Sequence, residues 1–325
     1  MRRGRRALAL AVVVALALSA VLVTVLAACT GPAPDASDAS GPLPADVAPA
    51  LTAALRQDRT QYADRTAALQ VVNGSDRTVT LLGGTLDAPG FGPSTPDGDP
   101  RARTLAPGAG RDVRLRLGEV DCDADAPEPL TGAAAQSTPV ATATVRLAPG
   151  AWTAEPGDPP PGDDAGTAVQ VDVTDPLGRL AAVHAEACAE RLVASGVTLR
   201  VTGVEAATVR TADGEAPGGR VTLAVDPVPG GPAVRLVEVA GTTLLTPAAG
   251  DAWTGDDLAG QADGQVVLDL VPARCDPHVV AEDKRGTFLP VHAEVDGAPQ
   301  PVVYVPMTDE QRAATYDLVR DACGW

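Results

Sequence analysis

The sequence predicts a mainly β protein: two tandem immunoglobulin-like β-sandwich units, each with a short C-terminal helix stapled by a disulfide. Three observations carry this. Apolar residues alternate in short runs such as Val113, Leu115, Leu117 and Val266, Leu268, Leu270, the period of a strand with one buried face. The chain contains 33 Gly and 30 Pro, enough to cut it into many turns and to disfavour a helical protein. Segments that end in cysteine occur twice, in the same order.

Residues 1–28 have the build of a secretory signal. Arg2, Arg3, Arg5 and Arg6 precede an uncharged run from Ala7 to Ala28, and small residues precede Cys29. Leu26-Ala27-Ala28-Cys29 resembles the lipobox of bacterial lipoproteins, in which the cysteine becomes the new N-terminus and its sulfur carries the lipid. The competing reading is an uncleaved membrane span, since the apolar run is 22 residues long. Both readings put the rest of the chain outside the cytoplasm, on the extracytoplasmic face of the membrane. Residues 29–49 are small, polar and Pro-rich. They lack the apolar content for a core and read as a flexible tether.

The formal charge is −17. The four Arg of residues 1–28 contribute +4 to it, so the remainder carries −21. So acidic a surface repels phosphate backbones, which argues against nucleic acid as a partner. There is one Lys (Lys284), one Asn (Asn73) and no Ile, a bias that reads as GC-rich coding. Val, Leu and Ala must therefore supply the core. About 280 residues follow the tether, room for two units, 50–195 and 196–325.

The repeat is clearest around the four remaining cysteines. RDVRLRLGEVDC before Cys122 matches GQVVLDLVPARC before Cys275. The segments ending at Cys188 and Cys323 each hold an alternating strand, then Thr-Asp, then a helical stretch. Asp175 with Pro176 resembles an N-cap followed by proline at the first helical position, and Thr308 with Gln311 fits a capping box. Export permits disulfides, and the repeat selects Cys122–Cys188 and Cys275–Cys323. Upstream, Gly84–Pro89 (GTLDAP) parallels Thr242–Pro247 (TTLLTP). Strands are expected near 69–72, 79–82, 140–147, 197–202, 221–225, 234–239 and 288–295. Asn73-Gly74 between the first two reads as a hairpin turn. Five or six strands per unit are counted, fewer than a full immunoglobulin domain. Glu155–Gly166 is an acidic, Pro-rich loop of the first unit alone.

Arg274-Cys275-Asp276-Pro277-His278 with Ala281–Thr287 (AEDKRGT), and Leu55–Arg59 leading to Val72-Asn73-Gly74, resemble a family of secreted or lipid-anchored actinobacterial proteins. The resemblance implies an envelope location. It brings no activity, substrate or cofactor.

The candidate sites follow from composition. Cys275–Thr287 packs Asp276, His278, Glu282, Asp283, Lys284 and Arg285 together. Asp276, His278 and Glu282 form a possible ligand or metal set, since imidazole with carboxylate suits zinc. The alternative is a structural corner tied by local ion pairs. His184 and Cys188 have helical i, i+4 spacing but Cys188 is better used in a disulfide, and His292 falls in a strand. Asp121, Asp123 and Asp125 start like a calcium loop, but Ala126 and Gly132 stand where it needs Gly and Glu. Trp152 and Trp253, both in Ala-Trp-Thr, read as loop residues that either anchor a partner or pack within their loops, since they do not fall at equivalent repeat positions. No Gly-x-Ser-x-Gly, phosphate loop or His-Glu-x-x-His is present. The expectation is a non-enzymatic cell-envelope lipoprotein without cofactor, binding an envelope protein or component and held at the membrane through Cys29. The alternative is a ligand- or metal-binding lipoprotein that serves a transporter.

Overall fold

The structure, a computed structural model, describes residues 42–58, 61–62, 64–98, 101–151, 166–281 and 283–325. Cys29, Trp152 and Glu282 lie outside the described residues, as does nearly all of the acidic loop 155–166.

The first unit contains β1 (Leu51–Arg56), β2 (Thr66–Asn73), β3 (Val79–Asp87), β4 (Thr95–Pro96), β5 (Arg103–Leu105) and β6 (Gly110–Arg116). The short helix α1 (Gly132–Ser137), β7 (Pro139–Pro149), β8 (Thr167–Thr174) and the long helix α2 (Arg179–Gly196) follow. The strands form one sheet in the order β4-β6-β2-β1-β8-β7-β3-β5. Every pairing is antiparallel except β1 with β8, a parallel seam of two residue pairs, Ala53–Val173 and Ala54–Thr174. The halves fold towards each other about this thin seam, so that β3 and β5 lie against β6. Alternation decides what goes between them. On β7, Ala141, Ala143, Val145 and Leu147 point inward while their neighbours stay partly exposed.

The second unit repeats the plan: β9 (Val197–Thr211), β10 (Gly214–Pro227), β11 (Val234–Ala240), β12 (Leu245–Pro247), β13 (Ala252–Thr254) and β14 (Gln265–Pro272). After these come α3 (Pro277–Ala281), β15 (Phe288–Val295), β16 (Ala298–Pro299), β17 (Val303–Pro306) and α4 (Asp309–Cys323). One sheet runs β12-β14-β10-β9. The other runs β13-β11-β15, with β16 and β17 both on β15. In the first unit β1-β2-β6-β4 lie on one side and β8-β7-β3 on the other, with β5 as an extra edge strand on β3. In the second β9-β10-β14-β12 face β17-β15-β11, with β13 on β11. Lettered A-B-E-D and G-F-C in that order, this is the immunoglobulin arrangement. The two short edge strands also arrive in the same order in both units, D before the strand that pairs with C. Each unit thus holds a full strand set, more than the five or six counted from sequence. The edge strands of two or three residues are too short to show a period.

The Asn73-Gly74 turn is not a hairpin. β2 and β3 lie in opposite halves, because β2 pairs with β1 and β6, and β3 with β5 and β7. Asn73 is instead a buried hub. Its Nδ2 donates to the carbonyls of Arg77 (2.7 Å) and Leu105 (3.1 Å), and its Oδ1 accepts from the Ser75 hydroxyl (2.7 Å). Gly74 is needed for closeness rather than a turn type, since a Cβ there would sit 2.6 Å from the Ala50 carbonyl oxygen. The GTLDAP parallel with TTLLTP also fails in space: Gly84–Asp87 continues β3, whereas Leu245–Pro247 is the D-strand β12.

The first core runs from Val47 to Val183 and the second from Ala189 to Val319. Val47 is fully buried, so the end of the segment read as a tether packs on the first sandwich. α2 serves both cores. It gives Leu180 and Val183 to the first and Ala189 and Val193 to the second, and passes directly into β9. Its start differs from the sequence reading. Pro176-Leu177-Gly178 forms a turn, Gly178 is the N-cap in the left-handed region, and Asp175 reaches over it to accept from the Leu180 N–H (2.7 Å). For α4 the capping box is present: Gln311 N–H donates to Thr308 Oγ1 (3.2 Å) and Thr308 N–H to Gln311 Oε1 (2.9 Å). Trp253 is a core residue, 3% exposed, with its indole N–H on the Asp269 carbonyl at 2.9 Å.

Candidate functional site

Two disulfides, Cys122–Cys188 and Cys275–Cys323, tie the segment after each E strand to the final helix of its unit. At the first bridge, His184 is 5% exposed. Its Nε2 lies 3.0 Å from the Asp121 carbonyl oxygen, and Phe91 meets its ring edge-on at 5.8 Å between centroids. Gly90, at φ +73°, has no room for a side chain, because a Cβ would come within 2.6 Å of the imidazole. His184 is therefore a packing piece under the bridge. Asp121 folds back to accept from the Asp123 N–H (3.0 Å), a local turn. His292 stands half-exposed on β15 across from Glu238, at 3.9 Å.

The second bridge opens the Cys275–Thr287 corner. Asp276 Oδ1 accepts from the His278 N–H (2.9 Å), so its carboxylate starts the short helix α3 while His278 stays exposed. Among the described residues no group of three or more His, Cys, Asp or Glu is placed to hold a metal ion. What the corner does build is a tight knot around Asp283. Its carboxylate accepts from the Gly286 N–H (2.7 Å), the Thr243 hydroxyl (3.0 Å) and the Tyr316 hydroxyl (3.4 Å). Thr242 closes the other side by donating to the Gly286 carbonyl (2.8 Å). Burial, and next the negative charge of Asp283, push the Tyr316 phenol above its ordinary 10.0.

The knot aims Arg285 away from its own corner. Its guanidinium carbon lies 3.8 Å from the ring centroid of Tyr304 and 5.3 Å from that of Tyr62 in the first unit. Arg179, at the start of α2, covers Tyr62 at 4.5 Å and donates to Gln57 Oε1 (2.9 Å). Arg65 pairs with Glu190 of the same helix at 2.7 Å. A cleft of about 440 Å³ lies here between the units, with Tyr62, Arg179, Glu186, Arg285, Phe288 and Tyr304 among its walls. The chain has three Tyr, two Phe and three Trp in all, and three of those eight aromatics meet here. Arginine with aromatic faces is the composition of energetically dominant contact sites. Sequence reading marked the Arg285 segment but missed Tyr62, Tyr304 and Arg179. The signal that points to the two tyrosines is the rarity of that residue in this chain.

No helix among the described residues is long and apolar enough to cross a membrane. No family model and no curated protein matches the chain. Among solved structures, the "D0-D1 domain of Intimin" matches at 13% identity, covering 79% of this chain and 97% of that one, with a TM-score of 0.14. At that score the likeness carries no weight for fold or role.

Proposed function

We propose that this protein is a non-enzymatic cell-envelope lipoprotein, anchored through Cys29, that binds another envelope protein or component at the cleft between its two sandwiches. The observation that carries the reading is the gathering of Tyr62, Tyr304, Phe288 and Arg285 at one junction of a chain nearly devoid of aromatics. A binding rather than catalytic role agrees with how the reactive residues are used. Four cysteines are bridged and His184 is packed under one bridge. The signal-like residues 1–28, the lipobox-like Leu26–Cys29 and the resemblance to secreted or lipid-anchored actinobacterial proteins support the location.

The test is in-cell crosslinking of the tagged full-length protein, followed by mass spectrometry, on wild type and a Tyr62→Ala/Tyr304→Ala variant. Recurrent capture of one envelope component, lost in the variant, is the expected result. Equal capture by both, or capture of abundant neighbours only, overturns the cleft as the contact. Membrane retention of Cys29→Ala would overturn the anchor.

A further inference from the structure

We infer that the open edge of the first sandwich is a binding site for a compact oxyanion of two or more charges, of the phosphate or polycarboxylate class. The site is separate from the junction cleft, and the inference does not depend on the anchor or on a protein partner.

A cleft of about 570 Å³ lies where β3 and β5 face β4 and β6, opposite the β1–β8 seam. That is the size of a small-molecule site. Arg101, Arg103 and Arg114 line it, as does Arg146, which has a partner of its own. Asp97 and Asp112 also reach the cleft, and Asp97 is paired with Arg116 at 3.6 Å. The lining is therefore net positive in a chain of charge −17. Carboxylates outnumber guanidiniums in this protein, and most arginines elsewhere take one: Arg65, Arg77, Arg200, Arg220 and Arg235 all do. Arg101, Arg103 and Arg114 form no ion pair among the described residues. Three guanidiniums without an ion-pair partner among the described residues, at one cleft inside an acidic surface, make a local well for anions that match guanidinium geometry. Arg103 spends only Nη1, on the Ala102 carbonyl (3.5 Å).

The repeat supplies an internal comparison. In the second unit the edge strand β13 leads to β14 through a 3₁₀ helix, Gly255–Asp263, which packs on β11 and β14. Leu258 plugs that edge at 1% exposure, and Gln261 clamps it by accepting from the Leu236 N–H (2.8 Å) and donating to its carbonyl (3.2 Å). In the first unit β5 reaches β6 through the tight turn Ala106–Ala109, with no helix to fill the gap. Gly83 and Gly84 on β3 add no side chain to it. The same architecture is thus plugged in one unit by a 3₁₀ helix and its Leu258. In the other it is left open and lined with arginine.

The experiment is calorimetric titration of the full-length protein in detergent with inorganic pyrophosphate and, separately, citrate, at constant ionic strength held with sodium chloride. The comparison is an Arg103→Gln/Arg114→Gln variant. Saturable one-to-one binding of either probe, weakened about tenfold or more in the variant, is expected. The probe that binds more tightly assigns the ligand as phosphate or carboxylate. Both side chains are exposed, and an unchanged melting temperature without ligand confirms that the variant is folded. Absence of saturable binding by both probes, or equal affinity in wild type and variant, overturns the inference.

Discussion

Arg285, in the second sandwich, faces the ring of Tyr62, in the first, with its guanidinium carbon 5.3 Å from the ring centroid. The same guanidinium is stacked on Tyr304 of its own unit. The most charge-dense stretch of the chain therefore ends in a contact between units. Arg285→Ala should cost about 1–2 kcal/mol in lost cation–π contact, and the loss should appear as weaker coupling of the two units. Scanning calorimetry should show the unfolding of the units more widely separated in temperature than in wild type. Lysine should rescue poorly, since an ammonium lacks the flat face that spans two rings. An unchanged thermogram for Arg285→Ala would count against this contact as a coupling device.

The two disulfides close loops of similar length, with sequence separations of 66 and 48. Loop entropy then assigns each about 4 kcal/mol. Replacing either pair by serine should lower the guanidinium midpoint by similar amounts. Peptide mapping without reductant should recover only bridges inside a unit.

Asn73 is the single Asn of the chain and is fully buried among backbone partners. Asn73→Ala leaves carbonyls of Arg77 and Leu105 short of a donor and should cost about 2–4 kcal/mol. Asn73→Asp should be worse at neutral pH, because it turns a carboxylate towards those carbonyl oxygens. Its folded pKa would lie above the ordinary value of about 3.9. Its stability should therefore be greatest below that value and fall as pH rises through the folded pKa. Urea midpoints flat with pH would refute the arrangement.

Tyr316 is shifted upward by burial first and by Asp283 second. A raised folded pKa means that the neutral phenol is favoured in the native state. Its contribution is complete below the ordinary 10.0 and is lost as pH rises through the folded value. Wild type should lose stability across that alkaline window more steeply than Tyr316→Phe, as read from urea midpoints at pH 8 and above. Parallel curves would show that the phenol does not titrate with unfolding.

Local patterns placed many of the strands. Alternation located β7 and gave β15 its full span from Phe288 to Val295, because a half-buried strand writes its own period. The Thr308–Gln311 capping box was legible for the same reason: donor and acceptor lie three residues apart. Trp253 was misread because Ala-Trp-Thr on a three-residue strand has no period, and only the fold shows that its indole reaches Asp269. The Asp276, His278 and Glu282 set followed from composition. In space Asp276 Oδ1 accepts from the His278 N–H, Glu282 lies outside the described residues, and Arg285 of the same corner stacks on Tyr304.

The sequence by itself determined the β class, the twofold repeat and the pairing of cysteines, since these rest on periods and matches between neighbouring residues. Tertiary structure alone decided that Asn-Gly crosses between the two halves of the first sheet, that one helix feeds two cores, and that Tyr62 meets Arg285. It also decided that one sandwich edge is plugged while its counterpart gathers arginines. Those relations join residues far apart in the chain, where no local preference acts and only the closing of the sheets brings side chains within reach.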